Sequence, residues 1–163
     1  TAPEEVKETL RQALFGETIS YAIPSKSYDV NGTASGELVG GNISILYSLL
    51  GSKSAIDTKD KILFIEDLDE YLYHIDRMMY NLKRNGYFKK VKGIVVGSMS
   101  DMHDNEIPFG QNEVQIITAI ASEYQIPIVF AFPAGHQVDN RALLLGKQVD
   151  FEVNEKEVTL KFH

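Results

Sequence analysis

The chain has no cysteine, no apolar run of membrane length and no excess of positive charge, and each absence removes a class of answers. Without cysteine there is no disulfide framework and no thiolate metal site, and the composition suits a reducing compartment, the cytoplasm. No stretch approaches the roughly 20 apolar residues that a membrane span needs, so no membrane partner is expected. Lys and Arg number 16 against 23 Asp and Glu, a net charge of -7, which argues against nucleic acid or an anionic membrane surface as a partner. His74, His103 and His163 have no partner spacing for a metal, and no metal or cofactor is expected. No serine stands in a Gly-x-Ser-x-Gly setting, there is no internal repeat, and no segment is of low complexity. The chain opens at Thr1 rather than at a methionine, so the lack of a leader says nothing about where the intact protein resides.

What is present suits one domain. At 163 residues, 44% of them hydrophobic, the chain can bury a single core. Residues 3–15 read as a helix at the edge of the domain, with Thr1 offering an N-cap, acids early and Gly16 as the stop. Over 18–39, the alternation of Ile19, Tyr21 and Ile23 with turn residues at Asn31-Gly32 and Ser35-Gly36 predicts short antiparallel strands. From Asn42 the period changes, and Ile43, Leu46, Leu49 and Leu50 share a helical face that Gly51 terminates. A strand at 61–65 precedes the longest helix, 69–84, on which Leu72, Ile75, Met79 and Leu82 repeat before Gly86. Strands at 93–96 and 128–130 bracket a helix over 112–124, and 148–153 with 158–162 read as a closing hairpin around Asn154-Glu155. Pattern alone supports an α/β or α+β domain with a parallel and an antiparallel group.

Chemistry concentrates at the ends of two apolar runs, Ile62-Leu-Phe-Ile-Glu66-Asp67 and Val129-Phe-Ala-Phe-Pro133-Ala-Gly135-His136. Apolar runs of this length read as buried strands, and in open α/β sheets reactive groups gather beyond the carboxyl ends of strands. Glu66 is the first polar group after four apolar ones and is expected to point into the sheet's end. Asp69 and Glu70 read instead as a solvated loop or a negative first helical turn. His136, in a loop shaped by Pro133 and Gly135, is a catalytic candidate against the alternative of a turn histidine bonded to backbone. For Asn42, helix capping is the first reading, and the second is a substrate-binding position where the bare backbone of Gly40-Gly41 lets a carboxylate approach. Asp76 and Arg77 read as a structural ion pair that orients the Glu66 loop. Ser98 and Ser100 are the in-chain rivals for a nucleophile, if a turn past the strand exposes them.

These stretches, together with Gly36-Glu-Leu-Val-Gly40-Gly41-Asn42, Tyr73-His-Ile-Asp76-Arg77-Met and Lys92-Gly-Ile-Val-Val-Gly97, resemble the LD-carboxypeptidase family of serine peptidases, which includes the microcin-immunity enzymes. Five motifs in one order carry the likeness, over almost the whole chain. The resemblance implies the swivelling three-layer β/β/α domain, with a parallel sheet and a smaller antiparallel sheet. It implies that 1–163 is the C-terminal domain of a larger enzyme, with Glu66 and His136 as two members of a Ser-Glu-His triad. The serine is expected on an N-terminal domain absent from this chain, which alone would be inactive. It implies further a homodimer, for which Tyr71, Tyr73 and Tyr80 are candidate surface residues. The substrate class implied is a murein tetrapeptide ending in D-alanine, cleaved in cell-wall recycling, or a peptidyl or aminoacyl nucleotide in the immunity branch. A non-catalytic binding or dimerisation module of the same fold is the contrasting expectation.

Overall fold

In a computed structural model, residues 2–163 are described, and the expected Thr1 cap lies outside them. The elements run α1 (Glu4–Phe15), β1 (Ser20–Pro24), β2 (Gly32–Asn42), α2 (Ile43–Ser48), β3 (Ile62–Leu68), α3 (Leu72–Arg84), β4 (Gly93–Ser100), α4 (Glu113–Ala121), a 3-10 turn (Ser122–Tyr124), β5 (Ile128–Val129), β6 (Gln148–Val153) and β7 (Glu157–Phe162). Helix ends follow their cap residues: Asn42 caps α2, Asn112 and Gln115 form a capping box on α4, and Gly16 closes α1 in the left-handed conformation. No helix among the described residues is long and apolar enough to cross a membrane.

The strands are ordered β1-β7-β6-β2-β3-β4-β5. Strand β2 belongs to both halves of this arrangement. Its residues 32–37 pair antiparallel with β6, and its residues 38–42 pair parallel with β3. The sheet thereby turns one half over the other, giving two β layers with α2, α3 and α4 outside the parallel one. On β3, Ile62 and Phe64 face the core shared with the antiparallel layer, where Tyr21, Phe151, Leu160 and Phe162 lie. Leu63 and Ile65 face the core under α2, α3 and α4, with Ile75, Met79 and Ile117. Burial on both faces is why the sequence of β3 is continuously apolar rather than alternating.

The expected β/β/α architecture is thus present, with four differences. The antiparallel layer is not the smaller one: counting β2 in both, each has four strands. Ser35-Gly36 is no turn but the middle of β2, where glycine is required because a Cβ on Gly36 would stand 2.9 Å from the Asp60 carbonyl oxygen. Asn31-Gly32 likewise makes no hairpin, since β1 pairs with β7 and β2 with β6. Finally, α3 begins at Leu72 rather than at Asp69, because β3 runs on to Leu68 and Asp69 turns the chain at φ 60.

Gly40 fixes the crossing from one layer to the other. At φ 133, a Cβ there would lie 1.8 Å from the Phe64 carbonyl oxygen, a backbone atom of a paired strand that cannot yield. Gly40→Ala is therefore expected to destabilise the fold by more than about 3 kcal/mol. Chemical denaturation checks this, with Gly41→Ala as the companion: a Cβ at Gly41 would meet nothing within 4 Å, so only its strained φ of 150 contributes.

Candidate active site

Strand β3 carries a register shift against β4 between Ile65 and Asp67, and the two successive carboxylates there, Glu66 and Asp67, find different partners. Both are buried, Glu66 at 5% exposure and Asp67 at 2%. Asp67 is held by the helix α2 end: Asn42 Nδ2 donates to its Oδ1 at 2.7 Å, and Ser44 donates to Oδ2 from its backbone N–H and its hydroxyl, both at 3.0 Å. Glu66 is left to face the loop after β5.

That loop is built to hold one ring. Ala131 at φ 47 and Gly135 at φ 109 bend it, and Phe132 N–H donates to the Val96 carbonyl at 2.9 Å. Ser98 N–H donates to the Ala134 carbonyl at 2.9 Å, and the Ser100 hydroxyl donates to the His136 carbonyl at 2.6 Å. Asn140 accepts from the Gly135 N–H at 3.0 Å, and Arg141 N–H donates to the Pro133 carbonyl at 2.8 Å. The result is that His136 Nδ1 lies 2.7 Å from Glu66 Oε2, across 70 residues of sequence. An ionised carboxylate only accepts, so Nδ1 is the donor and the lone pair sits on Nε2. The His136 side chain is 51% exposed, and its Nε2 makes no hydrogen bond among the described residues. A buried carboxylate orienting a half-exposed imidazole is an arrangement that can take a proton from an incoming hydroxyl and return it to a leaving group.

The other candidates fall elsewhere. Ser98 and Ser100 are not exposed past the strand end: both lie on β4, Ser98 is buried, and the Ser100 hydroxyl is spent on the His136 carbonyl. Asn42 both accepts from the Ile45 N–H at 3.1 Å, capping α2, and donates to Asp67. Asp76 and Arg77 form no ion pair with each other among the described residues. They point outward from α3 with Tyr73 and Tyr80, the Arg77 guanidinium stacked 5.4 Å over the Tyr73 ring. The reason is helical geometry, since consecutive residues do not face each other. Partial burial alone holds the Asp76 carboxyl above its usual range.

Asp69 lies in a solvated loop as expected, its side chain 71% exposed, whereas Glu70 is partly buried and precedes the first turn of α3. Asp69 lies 2.5 Å from His103 Nε2, and Glu70 lies 2.6 Å from His74 Nδ1 with its Oε1 2.9 Å from the Ser44 Oγ, whose single hydrogen Asp67 and Glu70 share. Ser44, Glu70 and His74 supply the residue types of a triad in the wrong order, because the hydroxyl meets the carboxylate rather than the imidazole. Sequence reasoning missed Ser44 and the buried state of Asp67. The signal was there, since a strand covered on both faces buries the residue after Glu66 as well. Among the described residues no group of acidic and histidine side chains is placed to hold a metal.

Comparison with known proteins gives a consistent set of likenesses. The family described as LD-carboxypeptidase C-terminal domain matches residues 35–151. A probable murein peptide carboxypeptidase of Bacillus subtilis is 38% identical over 136 residues, 81% of this chain and 41% of that protein. The microcin C7 self-immunity protein MccF of Escherichia coli is 27% identical over 146 residues, 84% of this chain and 41% of its own length. The crystal structure of a muramoyltetrapeptide carboxypeptidase from Oxalobacter formigenes superposes with a TM-score of 0.88 at 25% identity, covering 98% of this chain and 55% of that one. The chain spans about half the length of the curated relatives it matches.

Proposed function

The chain belongs to the LD-carboxypeptidase C-terminal domain family, and on that premise we propose that its Glu66–His136 pair is the proton-transfer half of a serine-type carboxypeptidase. The observation that carries the reading is the 2.7 Å contact between the two side chains, with Nε2 left for a partner from outside residues 2–163. A serine on the N-terminal part of the intact protein attacks the scissile carbonyl as Nε2 takes its proton. Nε2 then returns that proton to the leaving amine, and a water molecule, activated in the same way, releases the acyl group. Glu66 keeps the proton on Nδ1 and stabilises the imidazolium that forms in each step. The oxyanion donors belong with the serine.

The proposed substrate is a murein tetrapeptide, cut before its terminal D-alanine in cytoplasmic recycling of wall peptides. The names of the Bacillus subtilis and Oxalobacter formigenes relatives support this choice. Asn42 fixes Asp67 beside Glu66, and its remaining amide hydrogen is the contact it would offer a substrate carboxylate. Exposed Tyr71, Tyr73 and Tyr80 support a partner face and hence a homodimer. The likeness to MccF favours, as second reading, cleavage of an aminoacyl or peptidyl nucleotide.

One assay separates these. The intact protein is expected to release D-alanine from an L,D-tetrapeptide, and residues 1–163 alone to release none under the same conditions. Hydrolysis by the isolated chain would place the nucleophile within it and sink the two-part mechanism. Turnover of an aminoacyl nucleotide without turnover of tetrapeptide would transfer the proposal to the immunity class. An intact protein that turns over neither would be a binding module.

A further inference from the structure

Ser98 is a buried polar group that the mechanism above leaves unused. It lies on β4 at 6% exposure, its Oγ fully covered and without a hydrogen-bond partner among the described residues. A buried hydroxyl in that state is a penalty that an alanine would avoid. The position that a Cβ on Gly135 would take is 2.5 Å from the Ser98 Oγ and 2.9 Å from the Glu66 Oε2. Hydroxyl and carboxylate therefore both press against the bare Cα of Gly135, too close for a side chain to stand there. The Glu66 carboxylate, for its part, has the His136 ring as its one hydrogen-bond partner among the described residues, while a carboxylate accepts several. A donor lacking an acceptor and an acceptor with capacity to spare thus lie against one glycine, and rotation about the Ser98 Cα–Cβ bond changes the distance between them without moving the backbone.

We propose that Ser98 is a positioning residue whose hydroxyl, turned toward Glu66 by a change of rotamer, is the second donor to that carboxylate, and that it thereby sets the proton affinity of His136. The glycine at 135 then has a purpose: a side chain there would stand between donor and carboxylate. The charged groups on neighbouring elements are otherwise engaged or turned outward. Asp67 is held by Asn42 and Ser44, Asp139 and Arg141 pair with each other, and Asp101 is exposed beyond β4.

The inference rests on the proposed function, and its test keeps the two apart. Removing a donor leaves the carboxylate a stronger acceptor, which holds the imidazolium more tightly, so the free base forms only at higher pH. In the intact protein, Ser98→Ala is expected to move the acid limb of kcat/KM upward by about half to one pH unit. It should lower the plateau kcat by roughly 3- to 30-fold, with KM unchanged and the thermal midpoint lowered by no more than a few degrees, as for the loss of one hydrogen bond. A limb at the wild-type position with kcat within twofold overturns the role. Should the intact protein cleave no L,D-peptide, the reading of function fails, and NMR titration of His136 in the same protein still decides Ser98. An upward shift in Ser98→Ala supports the contact, and coincident titrations reject it.

Discussion

His136→Ala in the intact protein is expected to lower kcat on an L,D-tetrapeptide by roughly 10⁴-fold or more while moving the thermal midpoint by only a few degrees. The two effects are unequal because the ring is half exposed and its side chain is tied to the domain by one hydrogen bond, to Glu66. Its loss leaves a buried carboxylate without its donor, a penalty of about 1–3 kcal/mol that protonation of Glu66 relieves in part. The same substitution removes the only group in the proposed mechanism that moves a proton in both half-reactions. A 10⁴-fold loss corresponds to about 5.5 kcal/mol of transition-state stabilisation, well above the structural term. Steady-state kinetics and calorimetry on the same preparation read both quantities. Losses of similar size in stability and activity would return His136 to the role of a turn histidine.

The parts of this molecule legible in its sequence are those governed by local rules. Period, cap and stop residues placed α1, α2 and α4 and the β6–β7 hairpin, since each is decided within a few residues of itself. What escaped was set by distant partners. Ser35-Gly36 has turn composition, and only the Asp60 carbonyl pressed against Gly36 shows why a strand needs glycine there. Asp76 and Arg77 look like a pair on paper, while the Arg77 guanidinium reaches back one turn to the Tyr73 ring instead. Asp67 carries the same ambiguity as its neighbours Asp69 and Glu70 until β3 is known to be covered on both faces. The nearness of Glu66 to His136 came from a likeness of motifs and not from spacing, because no local rule relates residues 70 positions apart.

Glu66→Gln separates the charge of the dyad from its shape. Glutamine has almost the volume of glutamate, so the packing around β3 and under Gly135 should survive. If the carboxamide turns its oxygen to Nδ1, the tautomer is kept and the imidazolium loses its counter-charge. If it turns its NH₂ group there, Nδ1 must accept, the proton moves to Nε2, and the ring can no longer take one from a serine. Either way kcat is expected to fall by roughly 10³- to 10⁴-fold. Stability should move little or rise, since a neutral amide is less costly than a carboxylate at 5% exposure. Opposite signs in the two measurements are what a catalytic carboxylate produces, because burying its charge opposes folding and serves the transition state. A structural Glu66 would show the reverse ranking, with the variant losing stability and keeping turnover within tenfold, and that pattern would remove the carboxylate from the mechanism.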